Sequence, residues 1–208
     1  LVAAGVETFA HVRPDSARLD EWRGRFDEMG AAVDETPWTP EAMQATFARL
    51  RPELVFALLG TTRQRTKAGD GDYESVDYGL TVLLIDAAVA SALRPRFVYL
   101  SSLGAGPSAR GAYMQARARA EAHLRASGLP FTIARPSFLI GERDASRPGE
   151  AVGAAVTDAL LGAVRLFGAK RTADRLRSIR GEALAAGLVR AALDPAAEGQ
   201  VLDSADLR

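Results

Sequence analysis

The chain has no cysteine. That excludes disulfides, thiolate nucleophiles and cysteine metal sites, and it suits a reducing compartment, so a cytoplasmic location is expected. Histidine is almost as scarce. His11 and His123 stand far apart with no helical pairing, so no metal site is expected. An excess of either charge is missing too, since 26 lysines and arginines balance 26 aspartates and glutamates. The sum gives no electrostatic case for nucleic acid or an anionic membrane, and neither is expected as a partner. One local cluster (Lys170, Arg171, Arg175, Arg177, Arg180) is basic and reads as a solvated face after a helix. No apolar run approaches the ~18 residues a spanning helix needs. The first residue is Leu1 rather than a methionine, which fits a start inside a longer product or a trimmed one.

What is present is an ordinary globular composition, about half apolar and a quarter charged, in 208 residues. That length suits one well-buried domain and is short for two. Short apolar strands alternate with longer helical stretches. "VETFAHVR" (6–13) reads as a strand, "RLDEWRGRFDEMG" (18–30) as a polar helix closed by Gly30, and "AAVDE" (31–35) as a short strand. "TPEAMQATFARL" opens a helix with Thr39 as N-cap and Pro40 at the first helical position. "ELVFALLG" (53–60) is nearly continuous in apolar residues, which predicts a strand covered on both faces.

A helix follows with an apolar stripe of Tyr78, Val82, Ile85 and Val89, then the strand "RFVYLSS" and a helix from about Ala112 to Ala126. The strand "PFTIARP", helices over about 151–167 and 181–193, and a last strand "GQVLD" complete the chain. No internal repeat or low-complexity linker interrupts it. The alternation predicts an α/β fold: a doubly wound, mostly parallel sheet with helices on both faces, three layers in one domain over 1–208. Ligands of such sheets gather beyond the carboxyl ends of the strands. The segments there ("RPDS", "DETP", "GTTRQRTKAGDG", "SSLGAG", "RPSFLIGERDASRPGE") are all rich in small, polar or basic residues.

"LGTTR" after a buried strand, "SSLGA", "YMQARARAEAHL", "ARPSFLIGER" and "SRPGE" occur in one order between Leu59 and Glu150. Together they resemble the short-chain dehydrogenase/reductase superfamily, and most closely its atypical branch related to the Tat-interacting tumour-suppressor oxidoreductase. The resemblance implies a Rossmann-like domain that binds NAD(P). It also implies an opening strand and a glycine-rich turn that would set backbone N–H groups against the cofactor pyrophosphate. Here "LVAAGVETF" corresponds to the end of the first helix and the second strand, so that segment is expected to precede Leu1, the alternative being a truncated product that has lost its first strand and phosphate cradle.

The end of the family's second strand carries an acid for a ribose 2′-hydroxyl or an arginine for a 2′-phosphate. This chain has Arg13 there, with Asp15 two residues further on. A guanidinium grips phosphate bidentately, so NADP is expected in preference to NAD, the alternative being an ordinary surface arginine beside a turn. The resemblance implies that Asp34 meets the adenine amine. It also implies that Leu59, Gly60, Thr61 and Thr62 pass their backbone along the adenosine and pyrophosphate, and that Pro136, Ser137 and Phe138 lie beside the nicotinamide.

Tyr113 and Arg117 are i and i+4 and share a helix face. In the family pattern the tyrosine exchanges the substrate proton, a serine holds the substrate oxygen, and a lysine binds the ribose while easing the ionisation of a phenol that otherwise titrates near pH 10. Ser102 is the first candidate for that serine and Ser101 the second, and Ser101, Tyr113 and Arg117 are also expected at the cofactor. Arg117 stands where the lysine would be. It keeps the charge for ribose and tyrosine but cannot readily release a proton.

Two functions are expected to compete. One is an NADP-dependent oxidoreductase acting on a carbonyl or alcohol compound by hydride transfer, with Ser102, Tyr113 and Arg117 as its catalytic set. The other is an NADP(H)-binding sensor or scaffold of weak or no activity that acts through a protein partner. Either is expected as a monomer or homodimer, and the enzyme would take a small-molecule substrate.

Overall fold

The structure, a computed structural model, describes residues 1–62, 66–67, 69, 71–137, 139–140 and 176–208. The described residues group into two compact units, Leu1–Pro52 with Leu83–Arg94, and Glu53–Val82 with Pro95–Arg208.

In the first unit, β1 (Phe9–His11) pairs in parallel with β2 (Ala32–Asp34), and helix α1 (Leu19–Glu28) connects them. β1 is shorter than the apolar pattern suggests. Helix α2 (Pro40–Leu50) starts at the expected residue, because the Thr39 hydroxyl accepts the Ala42 N–H at 3.3 Å and Pro40 needs no donor there.

In the second unit, β3 (Leu54–Ala57), β4 (Arg96–Leu100), β5 (Phe131–Arg135) and β8 (Val201–Asp203) form a four-stranded sheet in that order. Every pairing within it is parallel. A separate two-stranded pair, β6 (Leu139–Ile140) with β7 (Ile179–Arg180), is parallel as well. β3 is an edge strand of the four-stranded sheet, half-buried rather than covered on both faces, and the apolar run of its sequence continues past it into an exposed Leu58.

Alternation along the strands puts helices on both faces of this sheet. Val98 and Ala134 pack with Leu184, Leu188 and Ala192 of helix α5 (Gly181–Leu193) and with Leu207. Tyr99 and Arg135 face the other way, toward helix α4 (Ala112–Ala126). Gly187 has a specific reason to be glycine, since a Cβ there would stand 2.1 Å from the Leu207 carbonyl oxygen.

Between β3 and β4 the chain forms a π-helical segment, Tyr73–Leu80, that continues as helix α3 (Thr81–Ala90). Its start is held by a reciprocal cap between Asp72 and Ser75. The wider π turn shifts the face that points inward. Asp77 and Thr81 are fully buried along with Ile85, whereas Val89, a member of the apolar stripe read from the sequence, is 47% exposed. Among the described residues, no helix is long and apolar enough to cross a membrane. The helix expected over 151–167 lies outside the described residues.

Candidate functional site

Helix α4 begins after Gly111 and carries Tyr113 in its first turn and Arg117 one turn on. The Arg117 side chain is almost wholly enclosed at 6% exposure, an unusual place for an arginine. It is held there by oxygens. Nη1 donates to the Leu100 carbonyl at 2.7 Å and, more weakly, to the Tyr99 hydroxyl at 3.5 Å. Nη2 pairs with Asp77 Oδ1 at 2.8 Å. The guanidinium carbon also lies 5.3 Å from the centre of the Tyr113 ring, within cation–π range. So Arg117 does meet the end of β4 and the tyrosine, as its spacing suggests, but both of its terminal nitrogens are already engaged by protein.

Asp77 has no counterpart in the sequence reading. Its second oxygen, Oδ2, accepts the Thr61 N–H at 2.9 Å. Burial lifts this carboxyl above its ordinary range, against the opposing pull of Arg117 and the Thr61 N–H. The Arg117 guanidinium 2.8 Å away keeps its own charge and favours the ionised carboxylate. Burial also works against the Arg117 cation, but Tyr99, Tyr113 and Asp77 outweigh it and leave arginine above its ordinary range. Tyr99, itself fully enclosed, is pushed up to about 12 by burial.

Gly60 completes this cluster. A Cβ on it would stand 2.5 Å from Arg117 Nη2 and 3.4 Å from Asp77 Oδ1, so the loop after β3 lies against the ion pair only because residue 60 has no side chain. Three polar atoms in the cluster are buried without a hydrogen bond among the described residues: the Thr61 hydroxyl, Arg117 Nε and Asp77 Oδ1, of which only the last has an ion pair, with Arg117 Nη2. Burying such groups unpaired is costly, and it is common where a ligand supplies the missing partner. The donor set and the bare glycine cradle therefore fit the edge of a nucleotide cofactor.

The two serines after β4 differ. Ser101 is buried, and its hydroxyl donates to Glu121 Oε1 at 2.6 Å. Glu121 also takes both arms of Arg135, from Nε at 2.8 Å and Nη2 at 2.5 Å. Ser102 is half-buried, and its hydroxyl has no hydrogen-bond partner among the described residues. The loop that carries it is tied to the turn after β5, since the Leu103 N–H donates to the Pro136 carbonyl at 2.9 Å. Pro136 is buried. Ser137 is occupied by the C-terminal segment: its N–H donates to the Ser204 hydroxyl at 2.8 Å and its own hydroxyl to the Arg177 carbonyl at 2.5 Å. Phe138 lies outside the described residues, as do 141–175.

Leu59 is half-buried and Thr62 exposed in the loop after β3. In the first unit, Arg13 is exposed past the end of β1, 3.6 Å from Asp15. Asp34, at the end of β2, is 8% exposed; its Oδ1 accepts from Arg49 at 2.7 Å and from the Thr36 hydroxyl at 3.0 Å. A broad concavity of about 1000 Å³ flanks the other side of α4, between Tyr73, Gln115, Arg119 and Arg135, and does not include Ser102, Tyr113 or Arg117.

Residues 1–160 match the family model described as NAD(P)H-binding. A curated relative from Aspergillus oryzae, "Protein fmp52-1, mitochondrial", is 30% identical over 66% of this chain, and the match spans 61% of the relative's own length. The UDP-glucose 4-epimerase of Thermotoga maritima superposes with a TM-score of 0.63 at 16% identity, over 97% of this chain and 69% of its own. The triphenylmethane reductase of Citrobacter sp., solved with NADP(H), does so with a TM-score of 0.59 at 14% identity, over 93% and 58%. These structures share the parallel sheet flanked by helices. The expected cytoplasmic location is overturned: relatives at about 30% identity, from several Aspergillus and allied fungi, are named as mitochondrial proteins. A lack of cysteine excludes disulfides but does not distinguish one reducing compartment from another. By its sequence and its Rossmann-like fold, the chain belongs to the NAD(P)H-binding family.

Proposed function

We propose that this protein is an NADP-dependent oxidoreductase that acts on a carbonyl or alcohol compound. The observation that carries the reading is the cluster of Gly60, Thr61, Arg117 and Tyr113, closely packed beyond the ends of β3 and β4 yet left with two unpartnered polar atoms. When bound, the nicotinamide cofactor supplies or accepts the hydride. The backbone of 59–62 and the Thr61 hydroxyl would line its adenosine and pyrophosphate side, and Arg117 Nε would meet it at the ribose. Ser102, with its hydroxyl uncommitted, is the residue to hold the substrate oxygen, and Tyr113 the residue to exchange its proton. Ser101 is less suited, because Glu121 already takes its hydroxyl. The preference for NADP rests on Arg13, exposed beyond β1 where a 2′-phosphate would be gripped. It is supported by the reductase from Citrobacter, which was solved with NADP(H).

One observation favours the second reading, an NADP(H)-binding sensor acting through a protein partner. Asp77 balances the charge of Arg117, so Tyr113 sits beside an ion pair rather than a free cation. A screen of carbonyl substrates with the full-length protein and NADPH, read by nicotinamide absorbance, separates the two. Turnover that falls about 10²- to 10⁴-fold in Tyr113→Phe, with NADPH still bound, supports the enzyme. NADPH binding with no turnover on any substrate supports the sensor. Arg13→Ala is expected to weaken NADPH about tenfold and leave NADH unchanged, as loss of one charge-assisted contact would.

A further inference from the structure

We propose that Tyr73 is a positioning residue for Tyr113: its ring docks the start of helix α4 against the π-helical segment and so sets where the Tyr113 phenol stands. The functional consequence rests on the reading of Tyr113 as the residue that exchanges the substrate proton, whereas the docking itself does not.

The two helix starts are built unequally. Asp72 and Ser75 cap the π-helical segment reciprocally: the Ser75 N–H donates to Asp72 Oδ1 at 2.8 Å and the Asp72 N–H to the Ser75 hydroxyl at 3.0 Å. Helix α4 begins after Gly111, which has no side chain to accept a first-turn N–H, and no acid stands in its first turn. A helix start left uncapped frays, and Tyr113 lies in that turn.

What steadies the turn is packing against the capped neighbour. Tyr73 is the first residue of the π-helical segment, and its ring stands 5.3 Å from that of Tyr113 at an interplanar angle of 60°, an attractive tilted pair. Glu74, next along, takes Arg119 at 2.7 Å, but both partners are more than half exposed, and such an ion pair contributes little. The ring pair is therefore the stronger tie. Arg117, 5.3 Å from the Tyr113 ring and itself held by Leu100 and Asp77, steadies the tyrosine from its own helix; Tyr73 does so from outside it.

Tyr73 also lines the concavity of about 1000 Å³ beside α4, whereas Tyr113 does not. Without the Tyr73 ring that space would open next to Tyr113 and let its side chain swing away from the substrate oxygen. A proton passes only across hydrogen-bond distance, so a small displacement of the phenol lowers the rate. Cofactor affinity, assigned above to 59–62 and Arg117, would change little.

The test compares Tyr73→Leu, which removes the ring, with Tyr73→Phe, which keeps it, in the full-length protein. Amide hydrogen exchange is followed without cofactor at 115–116, where the Gln115 N–H closes the first turn on the Gly111 carbonyl, and at 124–127 at the far end of the helix. Tyr73→Leu is expected to speed exchange at 115–116 about three- to tenfold with 124–127 unchanged, and Tyr73→Phe to behave as wild type. With NADPH and phenanthrenequinone as the carbonyl probe, Tyr73→Leu should lower kcat about tenfold while KM and NADPH affinity stay within about twofold, and Tyr73→Phe should restore kcat. Unchanged exchange at 115–116, equal acceleration along the whole helix, or a Tyr73→Phe that behaves like Tyr73→Leu overturns the proposal. So does an unchanged kcat in Tyr73→Leu. Exchange as expected in a protein that reduces neither this probe nor any compound of the carbonyl screen overturns the enzyme reading and supports the docking.

Discussion

Helix α4 carries two buried ionic contacts one turn apart, and they are built differently. Arg117 reaches Asp77, a contact that is almost wholly enclosed, at 6% and 0% exposure. Glu121 reaches Arg135 through both guanidinium arms and also takes the Ser101 hydroxyl, and its arginine keeps 26% exposure. The second contact engages the carboxylate on both oxygens, and no atom of Glu121 or Arg135 is left buried without a hydrogen bond among the described residues. The first leaves Arg117 Nε and the neighbouring Thr61 hydroxyl without partners among the described residues. Complete satisfaction marks a structural clamp, whereas a buried network with open valences marks a place where a ligand completes it. The difference separates a clamp that ties α4 to β5 from a site that opens toward the loop after β3.

The comparison can be broken most forcefully at the clamp. Glu121→Ala leaves Arg135 without its carboxylate and Ser101 without its acceptor, and is expected to cost about 3–5 kcal/mol by denaturant unfolding, with NADPH affinity unchanged in the folded fraction. A small cost, or a large loss of affinity, would assign the clamp to the site. Alkaline titration probes the surroundings of the first contact. Tyr99 holds its proton up to about pH 12 in the folded protein against 10 for an ordinary phenol, because burial disfavours its anion. Its folded pKa is raised, so the folded state binds the proton more tightly. The associated stability is complete below pH 10 and lost as pH rises toward 12, by roughly 2–3 kcal/mol. Tyr99→Phe should flatten that part of the stability curve. Smallest in stability is Gly60→Ala. Its methyl group must displace Arg117 Nη2, at about 1–3 kcal/mol, and NADPH affinity should fall with it.

Much of the fold is legible in the sequence where local chemistry decides it. Thr39 and Pro40 start α2, and the expected helix over 181–193 is α5 to the residue. The site is legible in part. Tyr113 and Arg117 share a face because their spacing dictates it, and Gly60 lies against Arg117 as a loop glycine after a strand would. Asp77 is not legible, because a π turn breaks the 3.6-residue period and brings inward a residue that the apolar stripe assigns elsewhere. The one signal in the sequence is an acid set in the otherwise polar-to-apolar transition "SVDYGL". Nor is the distinction between Ser101 and Ser102 legible, since it depends on Glu121, twenty residues away. The end of the "ELVFALLG" run is misleading for a related reason: apolar character there extends beyond β3 into a loop.

The most direct test of the central claim is the cofactor footprint on the full-length protein, taken as the difference in hydrogen exchange with and without NADPH. The account predicts added protection at 59–62 together with 113–117, where the unpartnered atoms lie, and little change at 121 and 135. Protection absent from both 59–62 and 113–117, while NADPH is bound, would contradict it.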